Sequence, residues 1–201
     1  MEVKLYLADA RTLAEHQQLC LPLLTAQRRQ QAVSFVEEKD RLLGCAAGLL
    51  LRRVLNVTKD EDLICNEYGK PKLVSGDVQF SLSHAGCYAA LAVSRELIGV
   101  DIEPHVKPSV LPRKVLTGEE MHWLEEHPSA EEFCLLWTRL ESALKAEGCG
   151  LAAEERSFSL LEENRPWHWE TVLHDGHTVT CAALGRMEVE LTVLPAHELL
   201  K

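Results

Sequence analysis

The spacing of apolar residues changes period several times along this chain, and each change predicts an element. Val3, Leu5 and Leu7 alternate with other residues, which predicts a strand over residues 3–8. Residues 12–37 read as one or two helices, and residues 40–55 as an amphipathic helix with Arg41 and Arg52 near its ends. Val78–Ser83 and Cys87–Ser94 read as the arms of a hairpin turning at His84, Ala85 and Gly86. In the next strand Ile98, Val100 and Ile102 face one way, while Gly99, Asp101 and Glu103 face the other. Thr117 with Glu120 forms a capping-box signature opening a short helix, and Ser129 with Glu132 opens a long one that stops near Gly148. The remainder reads as antiparallel strands at Ser157–Leu161, Trp167–Leu173, Thr178–Leu184 and Met187–Leu194, with Asp175 and Gly176 as a tight turn.

Helices followed by strands therefore occur twice, once on each side of about residue 97. The segments Tyr88–Val93 and Thr180–Gly185 are faintly alike at matching places. The expectation is an α+β fold in one unit spanning residues 1–201, with similar halves at about 1–97 and 98–201. No low-complexity segment or flexible linker interrupts it.

Composition narrows the function classes. With 46% hydrophobic and 26% charged residues, the 201-residue chain can bury a sizeable core. Lysine plus arginine number 21 against 31 acidic residues, a net charge of −10, which argues against nucleic-acid or anionic-membrane partners. A phosphate ligand would need a local basic cluster. The amino terminus lacks the pattern of a secretory signal, and the apolar run Leu42–Leu51 is too short to span a bilayer, so a cytoplasmic protein is expected. The seven cysteines are scattered without a Cys-x-x-Cys pair, which supports neither a disulfide framework nor a zinc ribbon.

Chemistry concentrates at two places. Asp101 and Glu103, two apart on a strand, lie about 6.5–7 Å apart at the backbone, so both carboxylates can converge on one hard cation, as half a magnesium site. The plain alternative is two solvated acids. Trp137, Glu141 and Lys145 are spaced four apart on the long helix and add a third carboxylate and an ammonium group to one face. Their plain alternatives are a core aromatic and a surface ion pair. Gly69, Lys70 and Pro71 place a lysine in a turn, and Ser81, Ser83 and His84 place hydroxyls and an imidazole at a strand end, so both clusters could meet phosphate.

Taken in order, Gly69-Lys70-Pro71, Phe80–His84, Gly99–Glu103, Trp137 with Glu141, Ser142 and Lys145, and Gly148 with Gly150 and Leu151 resemble 4′-phosphopantetheinyl transferases of the surfactin-synthetase-activating type. The resemblance runs from about Thr25 to Leu184. It implies a pseudo-twofold monomer of two similar α+β halves, each an antiparallel sheet with packed helices, with coenzyme A in the cleft between them. The implied reaction moves the 4′-phosphopantetheine arm of coenzyme A onto a serine of an acyl or peptidyl carrier protein and leaves adenosine 3′,5′-bisphosphate. By the same resemblance Asp101, Glu103 and Glu141 hold Mg²⁺, Glu141 helps deprotonate the serine, and Lys145 neutralises charge on the transferring phosphate. Ser83 and His84 contact the 3′-phosphate with Arg28 and Arg41, while Gly69, Lys70 and Pro71 line the nucleotide pocket.

The departures from the family pattern are local. Leu140 stands where the family usually has a lysine, with Arg139 one place earlier, and Cys149 replaces a basic residue between the two glycines. These changes keep open a non-catalytic coenzyme A or carrier-binding module, and the acids alone would also suit a metal-dependent phosphohydrolase. Glu120 sits near an acid considered for catalysis in the family, but its place in the capping box explains it without catalysis. His174 and His177 flank the Asp175-Gly176 turn without a third ligand nearby, so they read as turn positions.

Overall fold

The computed structural model describes residues 1–106, 112, 114–150, 156, 158–161 and 166–201. The first strand, β1 (Glu2–Asp9), leads through a 3₁₀ turn at Ala10–His16 into α1 (Gln17–Leu23), α2 (Ala26–Ser34) and α3 (Glu38–Leu55). Asp9 caps the 3₁₀ turn by accepting from the Arg11 N–H, and Thr25 caps α2 by accepting from the Arg28 N–H. A small hairpin of β2 (Leu63–Cys65) and β3 (Pro71–Leu73) follows, then β4 (Gln79–Ala85), β5 (Tyr88–Ser94) and β6 (Gly99–Pro104). Two helices, α4 (Gly118–Glu126) and α5 (Ala130–Glu147), precede β7 (His168–His174), β8 (His177–Ala183), β9 (Glu188–Leu194) and the short α6 (Ala196–Leu199). The chain is α+β, as its patterning predicts.

Alternation along the strands stacks these elements into layers. Ala8, Phe80, Ala89 and Leu91 pack with Leu42, Ala46, Leu49 and Leu50 of α3. The opposite face of the same sheet, through Val3, Leu5, Leu7, Ala90 and Ala92, meets Ile98, Val100, Ile102, Val179 and Cys181 of a second sheet. Leu136, Leu140, Ala143 and Leu144 of α5 then pack with Ala182, Phe158 and Trp167 on the far side. Two sheets, ordered β4-β5-β1-β9 and β6-β8-β7, thus lie between α3 and α5.

Two features depart from the sequence expectation. β9 does not continue the antiparallel tail; it runs parallel to β1, with Glu2 opposite Glu188 and Ala8 opposite Leu194. The apolar pattern of a strand specifies a face but not a neighbour, and β1 offered an unpaired edge. The strand expected at Ser157–Leu161 is also absent over the described residues 158–161, Ser157 itself lying outside them. The alternation there arises because Phe158 and Leu160 are buried against the α5 core, while the Leu160 N–H is taken by the Glu120 carboxylate at 2.9 Å.

The approach that positions the site is that of α5 on β6. A Cβ on Gly99 would overlap the carbonyl oxygen of Ser142 and lie 2.6 Å from the backbone nitrogen of Ala146. Only a glycine lets this helix backbone touch this strand. At its end α5 is capped by Gly148, whose φ of 81° lets its N–H return to the Leu144 carbonyl. A Gly99→Ala substitution is expected to lower the unfolding free energy by about 3 kcal/mol, because one of two backbones must move. Urea denaturation measures this, with Gly185→Ala, which enters open space, as the neutral comparison.

Candidate active site

β4 and β6 are neighbours at the seam between the two sheets, and their side chains make the join. Phe80 and Leu82 of β4 point to the α3 core, which sends Ser81 and Ser83 toward β6. Ser81 Oγ accepts from the Val100 N–H at 3.0 Å, and Ser83 Oγ donates to Asp101 Oδ1 at 2.8 Å. From above, Lys145 of α5 places Nζ 2.5 Å from the same Asp101 oxygen and 2.8 Å from Ser83 Oγ. Strand, strand and helix therefore meet at one buried carboxylate, only 3% exposed.

Asp101 Oδ2 is buried and has no hydrogen-bond partner among the described residues. Burial pushes this carboxyl up from its ordinary value against the pull of Lys145 and Ser83. Glu103 rises to about 7, first through burial, then through repulsion from Asp101 and Glu141, with Lys145 and the Trp137 side chain acting the other way. Glu141 is raised by burial and by Asp101, and lowered by Lys145. Among the described residues the acids act on one another electrostatically, and Lys145 acts on each of the three. As placed, no three acids or histidines among the described residues are close enough to hold an ion by themselves. Lys145 occupies Asp101 instead.

Lys145 and Ser83 also form one wall of a cleft of about 380 Å³ whose other sides include Arg28, Tyr68, Gly69, Lys70, Pro71, His84, Gly148 and Gly150. Gly69 takes a φ of 85° that an L side chain rarely adopts, and this closes the β2–β3 turn. Lys70 bends inward, its amine donating to the carbonyls of Ala146 at 2.8 Å and Ile98 at 3.3 Å. Burial, with Lys72 adding repulsion, lowers that amine to about 8. Arg28 is lowered by burial, and His84 is held below its usual value first by desolvation and then by Lys145 and Arg28. A local cationic pocket thus exists in a chain of net charge −10.

Of the residues singled out from the sequence, Arg28, Gly69, Lys70, Pro71, Ser83, His84 and Lys145 all line this cleft. Asp101, Glu103 and Glu141 do not line it, and Asp101 lies directly behind Lys145 and Ser83. Arg41 stands apart, its guanidinium donating to the carbonyls of Phe35 and Val36 at 3.0 Å. Leu140 is 2% exposed within the α5 core, so position 140 belongs to the interior of this chain. Arg139 cannot replace the missing lysine charge, since Nη1 donates to the Leu160 carbonyl at 2.9 Å and its guanidinium lies over the Trp169 ring. Cys149 directs Sγ to Glu147, and Leu151 lies outside the described residues.

Glu120 is fully buried in structural duties: it closes the Thr117 capping box, accepts from Leu160 and pairs with Arg156. His174 and His177 end β7 and begin β8 on either side of the Asp175-Gly176 turn, and both pack edge-on against Tyr88 at 5.1 Å. Asn66 escaped the sequence reading. Its amide donates to the Gly148 carbonyl at 2.8 Å while its side-chain oxygen accepts from the N–H groups of Tyr68 and Lys70, tying the β2–β3 turn to the end of α5. An asparagine three places before a glycine is a turn signal that could have found it.

A family model described as the 4'-phosphopantetheinyl transferase superfamily matches residues 97–184, the stretch that carries all three acids and Lys145. Over that stretch the chain is similar to the superfamily, and curated 4'-phosphopantetheinyl transferases resemble it over most of its length. It is 27% identical over 191 residues to 4'-phosphopantetheinyl transferase gsp of Aneurinibacillus migulanus, covering 85% of this chain and 80% of that protein. It is 28% identical over 165 residues to a 4'-phosphopantetheinyl transferase of Bacillus subtilis, covering 77% of this chain and 73% of that one. To 4'-phosphopantetheinyl transferase Sfp of Bacillus subtilis (strain 168) it is 27% identical over 157 residues, covering 73% and 70% respectively. The resemblance read from the motifs is borne out.

The raised carboxyls carry a consequence for stability. Glu103 keeps its proton in the folded chain up to about pH 7, whereas the unfolded chain releases it near 4.5. The folded state binds more protons over that interval, so stability falls as pH rises through it. After allowance for solvent screening at this half-buried group, the fall from Glu103 is about 1 kcal/mol. Urea midpoints measured from pH 4.5 to 7.5 should decline for the native protein and decline less for Glu103→Gln.

Proposed function

We propose that this protein transfers the 4′-phosphopantetheine arm of coenzyme A to a serine of an acyl or peptidyl carrier protein in a Mg²⁺-dependent reaction that leaves adenosine 3′,5′-bisphosphate. The observation that carries the proposal is the junction of a cationic cleft with three electrostatically coupled acids through the shared residue Lys145. Phosphoryl transfer from an anhydride demands positioning and charge neutralisation more than a protein nucleophile, and this junction offers both.

Asp101, Glu103 and Glu141 would hold the magnesium ion. Their oxygen-only donor set, their mutual repulsion and the unpartnered Asp101 Oδ2 suit a hard divalent cation. When bound, such an ion supplies charge neutralisation on the pyrophosphate. Glu141 takes the proton of the carrier serine, directly or through a water. The serine oxygen then bonds to the phosphorus on the pantetheine side as that phosphorus parts from the bridging oxygen, which leaves with the adenosine bisphosphate. Lys145, with 30% of its side chain open, turns an N–H to the transferring phosphate.

The nucleotide lies between the Gly69-Lys70-Pro71 turn and β4. Arg28 and His84 face its 3′-phosphate; Lys70 contributes its stem and backbone, because its amine is already held by two carbonyls. Arg41 stays outside this assignment, its guanidinium being committed to the α2–α3 connection. Halves 1–97 and 98–201 act as one monomeric unit with the donor at their seam. Among the described residues no helix is long and apolar enough to cross a membrane.

Intact-mass spectrometry of apo carrier proteins incubated with coenzyme A and Mg²⁺ tests the proposal. The native protein should add one phosphopantetheine mass, and Glu141→Gln should slow this by about 10²-fold or more. Binding of coenzyme A without a mass gain on any carrier of a broad panel would overturn it in favour of a binding module.

A further inference from the structure

We infer that Asn66 is a positioning residue for the donor: it fastens the Tyr68–Lys70 turn to the end of α5 and thereby sets how tightly the nucleotide end of the cleft holds its ligand. The inference rests on the transferase reading above and deepens it at a residue that does not itself line the cleft.

A primary amide carries two N–H donors and an oxygen with two lone pairs. Asn66 uses them in two directions. Its Oδ1 accepts from the N–H groups of Tyr68 at 3.1 Å and Lys70 at 2.8 Å, the local bonds by which an asparagine closes a turn. Its Nδ2 donates to the Gly148 carbonyl at 2.8 Å, a bond across 82 residues of sequence that no turn requires. Gly148 caps α5, and the last carbonyls of a helix have no partner within it. Asn66 supplies one at Gly148, and the Lys70 amine another at Ala146, its positive charge set against the negative end of the helix dipole. The contact is direct, since a Cβ on Gly148 would lie 2.9 Å from Asn66 Nδ2 and 3.1 Å from Lys70 Cδ.

The two segments joined in this way are walls of one cleft, Tyr68, Gly69, Lys70 and Pro71 from the turn and Gly148 and Gly150 from beyond the helix. They are not equally secure. The turn belongs to a ribbon of two three-residue strands, an element too small to hold its own place. α5 is fixed independently, by its backbone contact with Gly99 and by the Lys145–Asp101 pair. Loss of the crossing bond therefore frees the turn and leaves the reacting end where it is. Asn66→Ser separates the two sets of bonds: its hydroxyl still accepts within the turn, is too short to reach Gly148 and adds no charge.

Calorimetric Kd values for coenzyme A and adenosine 3′,5′-bisphosphate, and kcat at saturating coenzyme A with an apo carrier protein, should be compared for the native protein and Asn66→Ser. Both Kd values are expected to rise by the same factor, about tenfold, with kcat unchanged within about twofold. A loss of folded protein would lower kcat and leave the Kd values unmoved, so the split reports positioning. Unchanged Kd values, a rise for coenzyme A alone, or a larger fall in kcat would overturn the inference while the native protein still turned over. Hydrogen exchange without ligand stands beside it: amides of residues 63–73 should exchange at least about tenfold faster in Asn66→Ser, with those of α5 unchanged. Equal exchange would overturn the clamp itself. Absence of coenzyme A binding to the native protein is a separate outcome, which would overturn the transferase reading and the inference with it.

Discussion

The contact on which the site depends is the touching of two backbones, α5 upon β6 at Gly99. Helix and strand usually keep apart by the depth of their side chains; here a Cβ would overlap the Ser142 carbonyl, so the separation is set by main-chain atoms alone. Lys145, one turn beyond Ser142, can then reach the Asp101 carboxylate two residues beyond Gly99. The C-terminal turn of α5 is fixed by the same proximity, since Ala146 and Gly148 present carbonyls to Lys70 and Asn66. One small residue thus sets the reach of a lysine, the place of a helix end and the wall of the cleft.

Around that contact the molecule places its costly groups at a seam. A buried carboxylate with one oxygen unpartnered among the described residues, beside two raised glutamic acids, destabilises a fold unless something else benefits. The remaining structure offsets this through three apolar cores, which pack α3, the two sheets and α5 against one another. The polar seam runs between β4 and β6, where serine side chains join the edges of two separate sheets. Costly groups gathered at one seam beside a cleft are what an enzyme site looks like from the side of stability.

Sequence alone carried much of this. The alternation of Ile98, Val100 and Ile102 with Gly99, Asp101 and Glu103 placed the acids on the correct face, and the four-residue spacing of Glu141 and Lys145 placed acid and ammonium on the helix that covers them. The capping boxes, hairpins and glycine stop were legible because they are local. Partner choice was not. Nothing in Glu188–Leu194 says that it will pair in parallel with β1, because a face pattern is indifferent to which edge receives the strand. Leu140 invited a reading as a lost charge until the packing showed that position buried. Ser83 lines the cleft, and its hydroxyl also bonds an aspartate eighteen residues away, a partner that tertiary structure alone decides. Arg41 likewise carries a charge whose direction is set by two nearby carbonyls and by nothing in its sequence neighbourhood.

The central claim is that Asp101, Glu103, Glu141 and Lys145 make one reacting centre, with the lysine passing from carboxylate to phosphate when donor and ion arrive. A crystal structure of the protein with coenzyme A and Mn²⁺, the metal located by its anomalous scattering, tests it most directly. The account predicts one ion bound by the three carboxylates and the pyrophosphate, with Lys145 Nζ moved from Asp101 Oδ1 onto a phosphate oxygen. An ion held elsewhere, or Lys145 still clasping Asp101 beside a bound donor, would contradict it.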